Sequence, residues 1–322
     1  MAHLLKIGLL ESGSHFSTHV KGVLITAWYD LETMRLVTYR HQGQTRVGVV
    51  LGDQVADVSS VAPDMNSLIQ GGQQALDDAR RAGDRGARTP LSEAQLLAPI
   101  PRPLKNVFCL GLNYREHVAE GAAAGVRSSA DAPEYPVWFT KPATAVTGPY
   151  DDIPIEPRIS TQYDWEVELA VVIGRNARHV AKDKAYEYVH SYTIFNDFSV
   201  RDLQRRHGGQ WFKGKSWDKG SPIGPWLMTP DELGDPATVD VTCRVNGVVK
   251  QHSNTKLMIF DIPTQLADIT EVLTLEPGDI ISTGTPSGVG FARKPPEFLK
   301  DGDIMETEVG RLGVLRNRIV AR

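Results

Sequence analysis

Residues 165–174 read WEVELAVVIG, and the conformation of this run decides the fold. Its β-branched, aromatic and aliphatic content, closed by Gly174, reads as a strand. Side chains two apart in a strand share a face. Glu166 and Glu168 therefore point one way, with Asp164 in reach of the same side, while Trp165, Val167 and Leu169 point the other. Two readings of the paired carboxylates stay open. In an antiparallel strand with one wet face, solvent screens their repulsion and the pair is ordinary surface. In a hard-metal site, a divalent cation turns the repulsion into the attraction that holds the site together, and Mg2+ or Mn2+ prefers such oxygen ligands.

Outward from this strand, Asp197 sits in SYTIFNDFSVRD, an apolar strand pattern in which a buried carboxylate needs a partner. The intervening AKDKAYEYVH (181–190) reads as a helix of the length that returns the chain beside the first strand. Glu166, Glu168 and Asp197 can thereby converge on one ion, leaving positions for water or substrate.

The rest of the chain is strand-dominated. KNVFCLGLN, PVWFTKPATAVTG, TVDVTCRVNGVVKQ, GDIISTGTP and DIMETEVGRLGVLRNRIV are short apolar runs punctuated by Gly and Pro. A second helix is expected within FDIPTQLADITEVLTLEPGD, with Asp261 as cap and Pro263 in its first turn. Without regular βα alternation, this order predicts a mixed, β-rich α/β fold, a β-sandwich or barrel-like roll. Towards the N-terminus, residues 34–60 read as a small antiparallel meander and MNSLIQGGQQALDDARRAG as a helix capped by Asp64. The following segment to PIPRP (99–103) reads as a linker, which divides a small α+β N-terminal domain (34–100) from a catalytic domain (101–322). Residues 1–33 show no clear period and are expected to be a dispensable leader.

Composition narrows the function classes. The chain has 322 residues, 41% hydrophobic and 23% charged, with a net charge of −4. No basic stripe points to nucleic acid, and no apolar run reaches membrane-helix length. A cytoplasmic protein acting on a small molecule is the expectation. Cys109 and Cys243 each lie in an apolar stretch and read as buried thiols in a reducing compartment.

GLNYREHVAEG (111–121) offers a base: His117 and Glu120 are neighbours on one helical turn, and a carboxylate beside imidazole raises its basicity. A surface helical turn is the plain alternative. The small, polar GAAAGVRSSADAPEYP (121–136) has the composition of a segment that orders over a ligand. Lys141 and Lys215 stand among aromatics, where a partly desolvated ammonium can face an anion. GTPSGVG (284–290) lacks the ending of a phosphate loop and reads as a turn lending N–H groups and the Thr285 hydroxyl to a carboxylate.

In order along the chain, GLNYREHVAE, FTKPATAVTGP, DWEVELAVVIG, NDFSVRDLQ, KGKSWD and GDIISTGTPSGVG resemble the motifs of the fumarylacetoacetate hydrolase family. The resemblance runs from Met34 onward. It implies a small N-terminal domain and a C-terminal β-sandwich roll, commonly in a homodimer, with Mg2+ or Mn2+ on Glu166, Glu168 and Asp197. It also implies that His117 and Glu120 activate water beneath a lid, and that Lys141, Arg201, Gln204, Lys215 and Thr285 surround the substrate. The family's namesake carries a further metal-binding Asp seven residues before the His; that position is Leu110 here. The three-carboxylate site of the shorter members is therefore the one implied. The expected activity is metal-dependent hydrolysis of a C–C bond in a 2,4-dioxo acid, with Lys215 stabilising the developing enolate. Oxaloacetate decarboxylation, or isomerisation or tautomerisation of a 2-oxo-dienoate, are alternatives on the same site. A catalytically silent metal-binding scaffold is a reading of another class.

Overall fold

The central strand, Val167–Ile173, is buried along its whole length. Its alternate residues feed two different cores. Val167, Leu169, Val171 and Ile173 pack with Met305, Val309, Leu315 and Ile319, while Ala170 and Val172 pack with Cys109, Phe195, Leu68 and Ile69. Each buried aliphatic side chain contributes about 1.5–3 kcal/mol, so the strand is a strong organiser of both layers. It has no wet face. Glu166 is 3% exposed and Glu168 1%, which overturns the surface reading of the pair.

The computed structural model describes residues 34–126 and 128–322, and the backbone of one antiparallel strand pair, Phe16–Val20 with Val23–Ala27. The remainder of the expected leader lies outside the described residues. Met34–Arg322 forms one compact unit. Its larger sheet has twelve strands and its smaller one five, and among the described residues neither closes into a barrel. In the larger sheet the central strand runs antiparallel to Val189–Asn196 on one side and to Ile280–Ser282 on the other. Ile280–Ser282 lies parallel to Val107–Gly111, which pairs with Val137–Lys141. The smaller sheet orders Ile153–Ile155, Val314–Ala321, Ile304–Val309, Asp240–Val245 and Val248–Asn254. The fold class expected from the strand order is the one observed.

Several local expectations change. The 181–190 connection is a 3-10 helix, Lys182–Tyr188, packed against the helix Ile262–Val272, a tertiary contact that the local pattern does not foresee. The helix expected after Asp64 is two helices, Met65–Gln70 and Gly72–Arg85, broken where Gly72 takes a φ of +59°. Asp64 does cap the first, accepting from the Ser67 N–H at 2.8 Å, and Asp261 likewise caps Ile262–Val272 through Thr264 N–H at 2.9 Å. The expected linker contains two short strands, Arg88–Pro90 and Gln95–Leu96, which pair with the meander. The meander itself joins the larger sheet, with Leu36 opposite Leu227. Both cysteines are buried and unbridged, and burial pushes each thiol well above its ordinary pKa. Among the described residues no helix is long and apolar enough to cross a membrane.

Candidate active site

The antiparallel register brings the carboxylates together. Val167 faces Asn196 and Glu168 faces Phe195, so the residue beyond Asn196 reaches back to Glu166: the Asp197 N–H donates to Glu166 O at 2.9 Å. Carboxylate oxygens of Glu166, Glu168 and Asp197 all lie within 4.8 Å of one another, in a buried cluster. Asp164 does not join them. It belongs to a separate short strand pair with Ser199–Val200, and its carboxylate accepts from Arg201 Nε at 2.7 Å and from the N–H groups of Gly290 and Phe291 at 2.7 and 3.0 Å.

Three buried cations surround the cluster. Lys215 Nζ bridges Glu166 Oε2 (2.7 Å) and Asp197 Oδ2 (2.6 Å). Lys141 Nζ donates to Asp197 Oδ1 at 2.7 Å and to Phe198 O at 2.8 Å. Arg201 pairs with Asp164 and, through Nη2 at 2.6 Å, with Glu166 Oε1. Four buried carboxylates thus face three buried cations, and the uncompensated charge falls on Glu168. Among the described residues its Oε2 accepts only from neutral donors, Ser282 Oγ at 2.5 Å and Gly284 N–H at 2.9 Å. Burial, then the charges of Asp197 and Glu166, hold Glu168 well above the usual carboxylate range. Burial also opposes ionisation of Glu166, but Lys215 and Arg201 outweigh it and hold that group well below the range. At Asp197 burial wins over Lys141 and Lys215, and its pKa is raised. An all-oxygen, buried, net-anionic cluster with one carboxylate lacking a cation fits a hard divalent ion.

The cluster forms the floor of a cavity of about 310 Å3 whose lining includes His117, Arg201, Gln204, Lys215 and Thr285. Leu110, Phe139 and Trp211 form apolar wall, and Trp211 lies so close to Gly111 that a Cβ there would come within 2.3 Å of the ring. His117 Nδ1 is 2.8 Å from Glu120 Oε1, which leaves Nε2 as the free ring nitrogen. Glu120 is held from behind by the Gly288 N–H, at 2.9 Å from Oε2. Glu120 and Lys141 are not among the cavity-lining residues. Each reaches the cavity through a neighbour to which it is bonded, Glu120 through His117 and Lys141 through Asp197. The Arg201 donors are also engaged within the chain, Nη1 with Gln204 Oε1 at 3.0 Å.

The 284–290 turn does lend N–H groups to carboxylates, and to three: Gly284 to Glu168, Gly288 to Glu120 and Gly290 to Asp164. The Thr285 hydroxyl instead donates to Val167 O at 3.0 Å and accepts from Gln251 Nε2 at 2.8 Å. Sequence reading missed Gln251, whose Oε1 accepts from the Val167 N–H at 3.0 Å, and Ser282. It also missed Asn113, whose side chain ties the strand before the His117 helix to Phe260 and Thr283. Asn113 and Ser282, each a polar residue closing an apolar run inside a quoted motif, carried a local signal. Gly288 is a sharp test of this scaffold. Its φ is +102°, and an added Cβ would meet Lys250 O at 2.2 Å. Gly288→Ala is expected to cost about 2–4 kcal/mol of stability, measured by chemical denaturation; an unchanged midpoint would show that the turn yields freely.

Comparison with known proteins gives this geometry its family. The family model described as fumarylacetoacetate (FAA) hydrolase C-terminal matches residues 106–320. The chain belongs to the fumarylacetoacetate hydrolase family. It is 41% identical over 298 residues to the rat mitochondrial oxaloacetate tautomerase Fahd2a, covering 89% of this chain and 92% of that protein. It is 45% identical over 229 residues to the Bacillus subtilis oxaloacetate tautomerase YisK, covering 71% and 74%. Among solved structures, a fumarylacetoacetate hydrolase from Exiguobacterium antarcticum superposes with a TM-score of 0.77 at 37% identity, covering 90% of this chain and all of that one. Maleylpyruvate hydrolase from Sphingobium sp. SYK-6, in complex with manganese(II) and pyruvate, gives 0.72 at 31%, covering 89% and 99%. The chain thus belongs to a family of enzymes. The mitochondrial relative lends the expected cytoplasmic location no support.

Proposed function

We propose that the chain is a divalent-metal-dependent enzyme that interconverts the keto and enol forms of a 2-oxo acid, oxaloacetate being the substrate that its relatives' names favour. The observation that carries this reading is the placement of His117, backed by Glu120, in one cavity with the three-carboxylate cluster. A divalent ion on Glu166, Glu168 and Asp197 would supply neutralisation of the negative charge that develops on the substrate's 2-oxo oxygen. His117 Nε2 takes the proton from C3, and the electron pair left on carbon becomes the C2=C3 bond. Return of that proton to the 2-oxo oxygen completes the enol, and Glu120 steadies the imidazolium between the two transfers. Lys215, fixed at the edge of the carboxylate cluster, adds positive charge beside the same oxygen.

Hydrolysis of a C–C bond in a 2,4-dioxo acid is the second reading, favoured by the likeness to maleylpyruvate hydrolase and served by the same base directed at water. The two part in one spectroscopic experiment. With Mg2+ or Mn2+, the protein is expected to accelerate the loss of enol absorbance from freshly dissolved enolic oxaloacetate, and a chelator should abolish the effect. Cleavage of acetylpyruvate without any such acceleration would replace the tautomerase reading with the hydrolase one. Inertness toward both, with the ion shown to be bound, would leave the silent scaffold.

A further inference from the structure

Resting on the 2-oxo acid reading, we propose that Arg205 receives the far carboxylate of a 2-oxo dicarboxylate and so sets the enzyme's preference for diacids over neutral acylpyruvates. Arg205 lies one helical turn beyond Arg201 in Arg201–Arg206, so the two share a face and both line the cavity. Both guanidinium groups lie near the Phe291 ring, at 4.6 Å for Arg201 and 5.1 Å for Arg205. Their bonding differs. Arg201 is engaged by Asp164, Glu166 and Gln204, and Lys141 and Lys215 are engaged by Asp197 and Glu166. The adjacent Arg206 pairs with Asp202 at 3.7 Å. Among the described residues Arg205 has no carboxylate within ion-pair distance, so it is the cavity's uncommitted cation. Arg205 is partly open to solvent; desolvation of its inner side, followed by the Arg201 charge, pushes its pKa down against the smaller pull of Asp164 and Asp202.

The rest of the lining sharpens the choice of ligand. Leu110, Phe139 and Trp211 offer an apolar wall to a carbon chain, but no positive charge for a terminal anion. A 2-oxo acid held by its 1-carboxylate and 2-oxo oxygen at the cluster would extend its far end along that wall. A neutral acyl end needs only the wall. A carboxylate end needs a cation, and the planar fork of Arg205 matches it in shape and charge.

The test compares ligands that differ at the far end. For the Mn2+-loaded protein, calorimetry gives the ratio of Kd values for 2-oxobutyrate and 2-oxoglutarate, and kinetics gives the ratio of kcat/KM for oxaloacetate and acetylpyruvate. Arg205→Gln is expected to lower the preference for the diacid by about 10- to 100-fold in both ratios, the usual worth of a hydrogen bond to a charged group. The change should fall in KM rather than kcat, and Arg205→Lys should restore part of it. Unchanged ratios, or equal weakening of diacid and monoacid, would overturn the proposal, the latter making Arg205 a prop for Phe291. The binding arm stands apart from catalysis. If the unsubstituted enzyme turns over no 2-oxo acid, the functional reading fails, while a diacid preference in binding that Arg205→Gln removes still supports this one.

Discussion

Glu168→Gln is expected to abolish divalent-ion binding, and with it enol chemistry, while making the metal-free protein more stable. The two effects have one cause. Glu168 is buried beside Glu166 and Asp197 and, among the described residues, takes hydrogen bonds only from Ser282 and Gly284, so its charge is the one in the cluster without a cation. Its folded-state pKa is raised, by burial first and then by those neighbours. A raised carboxylate binds more protons folded than unfolded, so its ionisation costs stability as pH rises from the unfolded carboxylate range through the folded pKa. Glutamine removes that cost and keeps an oxygen for Ser282 and Gly284. Above the folded pKa, the metal-free variant should therefore melt higher than the unsubstituted protein, with the gap closing as the pH falls. A bound ion reverses the order. At about 100 times its Kd it stabilises the unsubstituted protein by about 2.7 kcal/mol, which the variant should not gain. Thermal melts with and without Mn2+, together with the manganese resonance spectrum, check both halves. An ion-induced shift of equal size in the variant would remove Glu168 from the ligand set.

Much of this centre was legible because it is written in local patterns. The alternation in WEVELAVVIG placed Glu166 and Glu168 on one face, and the strand-like SYTIFND supplied Asp197. What the pattern could not decide was whether that face is wet, since this depends on helices and sheets far along the chain packing over both sides of the strand. The caps at Asp64 and Asp261 are one-turn events and were readable. The 181–190 connector was not, because its mix of charged and aromatic residues suits a helix of either pitch, and it packs against Ile262–Val272, about 80 positions along the chain. The roles of Lys141, Glu120 and Arg201 were legible only as neighbourhood. Which cation faces substrate and which faces a carboxylate depends on side chains separated by up to 56 positions, as between Lys141 and Asp197. Gln251, bonded to the backbone of Val167 from 84 positions away, leaves no trace in local sequence.

His117→Ala should lower tautomerisation by about 10²- to 10⁴-fold, the usual worth of a positioned base, with ion affinity nearly unchanged. His117 touches none of the three carboxylates in a hydrogen bond; its ring is tied to Glu120, and Glu120 to the Gly288 N–H. Truncation therefore removes the group that moves the proton and leaves the metal cluster intact. Glu120→Gln should act in the same direction but less, because the amide can still accept from Nδ1–H while no longer opposing the charge on the imidazolium. Decarboxylation of oxaloacetate supplies the internal control. Its carbon dioxide leaves without any base or attacking water, so the loss in His117→Ala should be much smaller than for tautomerisation. Equal losses in the two reactions would mean that the His117 helix serves to shape the cavity. Full tautomerisation in both variants would put the proton on another group, and Lys215, which borders both cluster and cavity and can give up a proton as the Arg201 guanidinium cannot, would be the next to substitute.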